Sequence, residues 1–419
     1  MTDCVLFVIE GYNRYSIAAL AGLLDQELPA VVQQFHQERR GLAERVQQLS
    51  RQHGQVIVAF SFMSPQLPQI LPRLETLADR PANVTLVAGG PHASGEPLGT
   101  LEMGFDLVVA GEGEIAFPEL IRRRQAGRPC DDVPGVALLD EGWLKQNRRA
   151  PWVNLDDYPP FSIKQRKLAT IELTRGCPWA CSFCQTPFFL GGKMRYRSVE
   201  QIVYWLKRAR AEVGMKYARF ISADCFAYGS QTGRELDFDS VERLLRAVSG
   251  LMGKENTFFG SFPSEVRPGS VDRAAIELVK KYSANDHIVV GAQSGSNRML
   301  AAIHRGHTIE QVYETAEIVV AAGFACVVDF IFGLPGETPT DQAQTVEAIR
   351  RLTRIGARIN SHFFYPLPGT PLAHSVAGEP DRDTLLFLER LTSDKHEMGR
   401  WKGRLKTLEA MQSLPLAVG

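Results

Sequence analysis

Short apolar runs recur along the first 125 or so residues: VLFVI (5–9), VVQQF (31–35), VIVAFSF (56–62), VTLVAGG (84–90) and LVVAGEG (107–113). Between them the apolar positions fall three and four apart. Ile17, Leu20, Leu23 and Leu24 mark one helix, the polar stretch 38–52 a second, a third starts near Pro65, and a last covers about 114–126. Continuous apolar runs alternating with amphipathic helices predict parallel strands buried on both faces. The pattern weakens from Asp131 to about Lys167, where Pro134, Pro151 and the pair Pro159-Pro160 predict a linker with one hairpin. It resumes at 170–174, 217–223, 257–262, 287–294, 326–333 and 358–365, with helices expected at about 198–213, 238–252, 270–283, 297–320 and 340–355. Past Pro371 the chain reads as a polar, partly helical tail ending in SLPLAVG.

This order of elements predicts an α/β protein. Residues 1–130 fit a doubly wound parallel sheet of flavodoxin or Rossmann type. Residues 131–167 form the linker, and 371–419 the tail. The six units of 168–370 fit either a partial (β/α)6 TIM-type barrel or a second doubly wound sheet. Both architectures put chemistry at the C-terminal ends of the strands.

Charge narrows the partners. Lys plus Arg number 47 and Asp plus Glu 47, so the net charge is zero. A basic face of the kind nucleic acids need is not expected. No apolar run is long enough to span a membrane, and the start, MTDCVLFVIEGYN, lacks the basic region of a signal peptide. The seven cysteines are odd in number, with three inside eight residues, which fits a reducing, cytoplasmic setting and one metal site better than a disulfide framework.

Those three, Cys177, Cys181 and Cys184, follow the first strand of the second half with C-x3-C-x2-C spacing. Three thiolates on one loop can hold three irons of a [4Fe–4S] cluster and leave the fourth open to a small chelating molecule. A zinc site is the rival reading. It needs four ligands, and no fourth Cys or His lies close in sequence, the nearest downstream cysteine being Cys225. Further motifs fall at later strand ends. They are Ser264-Glu265-Val266-Arg267-Pro268, Gly291-Ala292-Gln293-Ser294-Gly295-Ser296, Arg305-Gly306-His307-Thr308, and Asp329 through Phe330-Ile331-Phe332-Gly333-Leu334-Pro335-Gly336-Glu337-Thr338. Each alone could be a cap, a turn or surface.

Taken together these motifs resemble the radical S-adenosylmethionine (SAM) superfamily over about 168–370. The series of strand ends is similar to its oxygen-independent coproporphyrinogen oxidase and methylthiotransferase branches. The resemblance implies a six-unit partial barrel and a [4Fe–4S] cluster on Cys177, Cys181 and Cys184. It implies reductive cleavage of SAM to a 5′-deoxyadenosyl radical, with a flavodoxin or ferredoxin as electron donor. By the same resemblance Phe183 packs near the adenine. Glu265, Gln293 and Asp329 contact the amine or ribose, Ser294 belongs to the same cofactor-binding set, Arg305 pairs with the carboxylate, and backbone near Ile331 meets the adenine.

The first half carries Ser61 at its third strand end, Gly89-Gly90-Pro91-His92 at its fourth and Gly111-Glu112-Gly113-Glu114 at its fifth. These are similar to the cobalamin-binding domain that precedes many radical SAM barrels, which implies cobalamin contacts at Ser61, Gly89, Gly90 and Glu112. The D-x-H-x-x-G signature of histidine-ligated cobalt is replaced by Glu10-Gly11-Tyr12-Asn13-Arg14-Tyr15-Ser16. Methylthiotransferases carry three more N-terminal cysteines, whereas this half offers only Cys4 and Cys130. The expected function is therefore radical SAM chemistry, with cobalamin-dependent methyl transfer to a small molecule as the leading form. A cobalamin-independent oxidation, cyclisation or rearrangement and a non-catalytic Fe–S or cobalamin sensor stand as alternatives. Asp224, Tyr228, His362 and 366–370 are candidate pocket residues, with core packing an equal reading.

Overall fold

The computed structural model describes residues 2–38, 40–398 and 400–414. Its chain sorts into two units, Met1–Ala169 with Leu367–Gly369 and Ala410–Gly419, and Thr170–Pro366 with Thr370–Glu409. The segment Pro415–Gly419 of the expected tail lies outside the described residues.

In the first unit, strands β1 (Cys4–Val8), β2 (Val32–His36), β3 (Val56–Ser61), β4 (Val84–Gly89) and β5 (Leu107–Val109) run parallel in the order β2-β1-β3-β4-β5. That is the flavodoxin-like order. The inner strands are almost wholly apolar, unlike the edge strand β2 with Gln33, Gln34 and His36, because their alternate side chains enter two different cores: Cys4, Leu6 and Val8 join Val58 and Leu86 on one face, while Val5 and Phe7 join Ile57 and Val87 on the other. Each such side chain contributes about 1.5–3 kcal/mol on burial. Helices α1 (Arg14–Glu27), α2 (Leu42–Gln52), α3 (Leu67–Glu75), α4 (Gly90–Gly95), α5 (Pro97–Glu102) and α6 (Gly113–Gln125) make the connections.

Residues 131–167, expected as a linker, belong to this unit. Their hairpin, β6 (Val136–Asp140) and β7 (Trp143–Gln146), continues the sheet antiparallel from β5. Val136 and Ala137 are fully buried. The backbone of Phe161 lies so close to α1 that a methyl on Gly22 would sit 2.6 Å from its carbonyl oxygen. The prolines broke the periodicity without freeing the chain.

The second unit opens with β8 (Ile171–Glu172), β9 (Thr174–Arg175), α7 (Thr186–Leu190), β10 (Arg195–Tyr196), α8 (Val199–Val213), β11 (Phe220–Ile221), α9 (Phe238–Met252) and α10 (Arg273–Tyr282). It continues with β12 (His287–Gln293), α11 (Asn297–Ala302), α12 (Ile309–Ala321), β13 (Ala325–Phe332), α13 (Pro339–Ile355) and β14 (Arg358–Phe363). β8 pairs parallel with β11, and β12-β13-β14 form a parallel sheet. The third expected strand, 257–262, is not a strand. The chain there crosses between β11 and β12 on single contacts, Phe258 N–H to Ala218 O (3.0 Å) and Val289 N–H to Gly260 O (3.2 Å). Gly260 adopts φ +73°, and Asn285 takes both backbone groups of Phe259, so the ladder cannot run through. The six positions still follow one another as a partial barrel.

Two more expectations shift. The helix expected over 297–320 is two helices, α11 and α12. His304 and Gly306 adopt left-handed φ between them, and Asn297 Oδ1 accepts the Ile309 N–H at 2.8 Å. The tail forms α14 (Arg382–Ser393) and α15 (Trp401–Gln412), and residues 396–398 lie along the outer edge of β14.

Gly22→Ala is expected to destabilise the chain by about 1–3 kcal/mol, because the added methyl meets backbone rather than a movable side chain. Thermal unfolding and limited proteolysis within 150–167 would register it. An unchanged midpoint and cleavage rate would mean that the segment does not hold to α1.

Candidate active site

The cysteine loop begins where β9 ends. Gly176 has φ +90°, and a methyl on it would lie 2.4 Å from Lys193 O, so only glycine lets the loop fold under residues 190–193. Cys177 N–H then donates to Gly191 O (3.0 Å) and Cys184 N–H to Cys181 O (3.0 Å). Burial pushes the Cys177 thiol up to about 11 and raises Cys184 as well. Binding a metal as thiolates therefore needs positive charge nearby.

Two guanidiniums supply it. Arg305 Nη1 stands 3.6 Å and Arg267 Nη1 3.9 Å from Cys181 Sγ, and both side chains are buried. Arg267 also donates to Arg305 O, and its guanidinium stacks 3.9 Å from the centre of the Trp179 ring, whose neighbour Arg234 lies at 4.9 Å. Burial, then Arg305, pulls Arg267 down to about 10. Trp179 Nε1, Ser182 Oγ, Arg305 Nε and His307 Nδ1 are buried without a partner. Buried polar groups are ordinarily satisfied, so so many orphans around three thiols fit a bound anionic group and a polar ligand. Among the described residues no three His, Cys, Asp or Glu side chains converge as the ligands of one ion would.

Three of the expected cofactor residues meet over Gly291. A methyl there would lie 2.5 Å from Arg305 Nη2, 2.7 Å from Gln293 Nε2 and 3.0 Å from Glu265 Oε2. The β12–β13 register shifts between Gly291 and Gln293, and Gln293 adopts φ +79°. This bulge re-aims the side chain at the strand end and holds it in a strained conformation. Arg305 Nη2 donates to Gly291 O (2.6 Å). Glu265 is solvent-accessible, yet protein surrounds its carboxyl on several sides. That surrounding, then the hydrogen-bonded Asp329, raises its pKa against the pull of Arg305. Asp329 is buried on β13 and accepts from Asn360 Nδ2 at 2.6 Å.

The remaining expected residues separate. Phe183 and Ile331 are half-buried. Ser294 is fully buried, and its hydroxyl accepts from Ser296 N–H (3.2 Å), a turn role. Asp224 is buried against Ser270 Oγ, and Tyr228 Oη donates to Arg197 O (2.7 Å). The sequence reading passed over Trp179, Arg267 and His307, although each sits in or beside a quoted motif. It also passed over Asn360 and Arg404, for which no local motif exists.

In the first unit the polar groups gather at the ends of β1, β3 and β4, beside the switch in strand order. Ser61 Oγ meets Ser16 Oγ (3.0 Å), and Asn13 Nδ2 donates to Val8 O and Ser61 O (both 2.9 Å). Gly90 has φ +88° and packs on Phe62, whereas Gly89 would accept a side chain. Glu112 is buried, and its carboxylate accepts the Val153 N–H (3.0 Å). His92 stacks on Phe62 and bonds Ser64 Oγ through Nδ1 (2.8 Å), while its buried Nε2 has no partner. Where a cobalt-ligating histidine would stand, Glu10 pairs with Arg73 (2.8 Å) and Tyr12 is 70% exposed. These groups suit a bound polar ligand without a histidine from that loop.

Comparison with known proteins bears on both units. Residues 171–349 match the family profile of the radical SAM superfamily, and residues 15–121 that of the B12 binding domain. An uncharacterised methyltransferase of Pyrococcus horikoshii is 25% identical over 303 residues, 69% of this chain and 62% of its own length. A tRNA-2-methylthio-N(6)-dimethylallyladenosine synthase of Chromohalobacter salexigens is 30% identical over 334 residues, 76% of this chain and 69% of its own. The chain spans about three fifths of the length of several curated relatives. Among solved structures, the radical SAM methyltransferase TsrM from Kitasatospora setae, with cobalamin and a [4Fe–4S] cluster bound, covers 89% of this chain and 77% of its own at TM-score 0.67 and 18% identity. The cobalamin-dependent SAM radical enzyme OxsB covers 83% of this chain and 52% of its own at TM-score 0.64 and 18% identity. At that identity the likeness is one of fold.

The buried imidazole of His92 has a pH consequence. Burial pulls it from 6.5 down to about 4, so between those values the unfolded chain carries a proton that the folded chain lacks. Stability is full above about 6.5 and falls as pH drops through the window. His92→Gln should flatten the slope of stability against pH between about 6.5 and 4 by up to one proton. Urea unfolding midpoints at a series of pH values give that slope, and an unchanged slope would place the proton uptake elsewhere.

Proposed function

The chain belongs to the radical SAM superfamily, and from that premise we propose a cobalamin-dependent radical SAM methyltransferase acting on a small molecule. The observation that carries the reading is the meeting of Arg305, Gln293 and Glu265 over Gly291, with Arg305 also beside Cys181. Cys177, Cys181 and Cys184 would hold a [4Fe–4S] cluster, which when bound would supply the electron for reductive cleavage of SAM. Ser61, Gly90 and the neighbouring strand ends would hold cobalamin, which would serve as a methyl carrier.

The chain's own groups bind and orient. Arg305 holds a carboxylate through its planar fork, and Gln293 and Glu265 take the amine and ribose. The protein around its carboxyl first, and Asp329 second, hold Glu265 toward its neutral form, so that carboxyl can donate a hydrogen bond to a bound hydroxyl or amine. Phe183 and Ile331 offer apolar surface to the adenine. A flavodoxin- or ferredoxin-type protein serves as reductant. Seven unpaired cysteines support a reducing, cytoplasmic location. No helix among the described residues is long and apolar enough to cross a membrane.

Against a tRNA substrate stands the fate of the two N-terminal cysteines. Cys4 and Cys130 lie in the sheet's hydrophobic cores, and burial pushes Cys4 up to about 12. They sit in two different cores, on opposite faces of the sheet, so they cannot share one cluster. Zero net charge agrees.

Anaerobically reconstituted protein given hydroxocobalamin, dithionite and SAM is expected to bind four irons and cobalt. It should form 5′-deoxyadenosine and, with substrate, S-adenosylhomocysteine. Cys181→Ala should abolish iron binding and cleavage. Arg305→Lys should lower cleavage by roughly 10–100-fold through loss of a two-point contact. Cleavage without cobalt would favour the oxidation, cyclisation or rearrangement reading. Iron without cleavage would favour the sensor.

A further inference from the structure

The tail reaches the barrel's strand ends. Arg404, on α15, donates from Nη1 to Asn360 Oδ1 (2.8 Å) and to Ser361 O (2.5 Å), and its own carbonyl accepts from Tyr365 Oη (2.8 Å). Nearby, Glu397 is buried and accepts the Ser361 N–H (3.1 Å). The contact is specific and many-sided, and it falls in the middle of β14, where Asn360 lies in register with Asp329.

A guanidinium has only donors, so the Asn360 oxygen must face Arg404. The Asn360 NH2 then faces the other way, toward Asp329 Oδ1 (2.6 Å) and His362 Nε2 (3.0 Å). The reversed amide would set its oxygen against a carboxylate and its NH2 against a guanidinium, two mismatches at once. With NH2 directed at it, His362 Nε2 must present a lone pair. In the neutral ring this puts the hydrogen on Nδ1. Protonation at Nε2 would place two donors 3.0 Å apart, and Asp329 Oδ1 stands 3.8 Å from Nε2, too far to accept in compensation. The His362 side chain is 34% exposed, and its Nδ1 meets no partner among the described residues.

We infer that Arg404 is a positioning residue of the barrel site: acting through Asn360, it orients the Asp329 carboxylate and holds His362 as the Nδ1–H tautomer. His362 therefore offers a hydrogen, not a lone pair, to a molecule bound at the strand ends. Such a donor suits a carbonyl, carboxylate or ring-nitrogen acceptor. This deepens the proposed function by naming what the sixth strand contributes to substrate recognition, and it makes the C-terminal segment part of the site.

The test is read on full-length protein with 15N-labelled histidine and without cluster or SAM. Histidine ring 15N–1H correlation spectra at pH 7.5, assigned by the signal lost in His362→Gln, give the tautomer directly. Wild type is expected to show Nδ1–H at His362. Asn360→Leu and Arg404→Met should each shift the tautomer ratio by about tenfold toward Nε2–H, the scale of one charge-assisted hydrogen bond. Arg404→Lys, again donor-only, should recover most of the wild-type ratio. Ring spectra of the other histidines report whether each variant stays folded. A wild-type Nε2–H tautomer would overturn the inference, as would a ratio that Arg404→Met and Asn360→Leu both leave alone. Failure to cleave SAM would instead sink the proposed function and leave this arrangement standing, since neither measurement depends on the other.

Discussion

Two buried guanidiniums beside one thiol govern the second unit. Arg267 and Arg305 could not stay charged out of water unless negative groups answered them, since an isolated buried ion is costly. Within the protein the answers are Asp224, Glu265 and Asp329, and two of these carboxyls are themselves held toward their neutral forms. The balance tilts positive at Cys181 as the chain stands. Thiolates and a carboxylate-bearing ligand restore it. The strained Gln293, the left-handed His304 and Gly306, and the break between α11 and α12 all bring side chains to that charge. Each is a local departure from regular structure, and together they turn side chains toward one place.

Much of this was legible because it is local. The C-x3-C-x2-C loop, the bulged strand end at Gln293 and the Arg305 turn are each encoded within a few residues. The parallel strands of the first unit were legible because burial on both faces leaves an unbroken apolar run. What the sequence hid was non-local. At 257–262 the pattern predicts a strand, but Asn285, some 26 residues away, satisfies Phe259 and removes it from the ladder. The prolines of 131–167 disrupt periodicity without telling whether the chain packs, and Phe161 packs. Arg404 sits beside the buried Trp401 and Leu408 in α15, and nothing near it in sequence signals Asn360. Ser294 shows the opposite error, a polar residue within a functional motif whose hydroxyl only shapes the turn.

The first unit solves a different problem. Its strand ends gather small polar groups, serines, an asparagine and glycine backbone, beside the Glu10–Arg73 pair and the buried Glu112. Groups of this kind let a large neutral ligand approach closely and meet it with short hydrogen bonds.

A partial barrel has open edges, and an open edge is a template for another strand. Along β14 that edge is taken. Ile359 exchanges backbone hydrogen bonds with His396 and Met398, and Ser361 gives its N–H to the Glu397 carboxylate. The segment that supplies Arg404 to the site is thus continuous with the segment that seals the sheet. A chain that shed its tail would lose colloidal protection and active-site order together. Selection against self-association and selection for chemistry therefore act on the same fifteen or so residues, which can drift only where neither demand reaches.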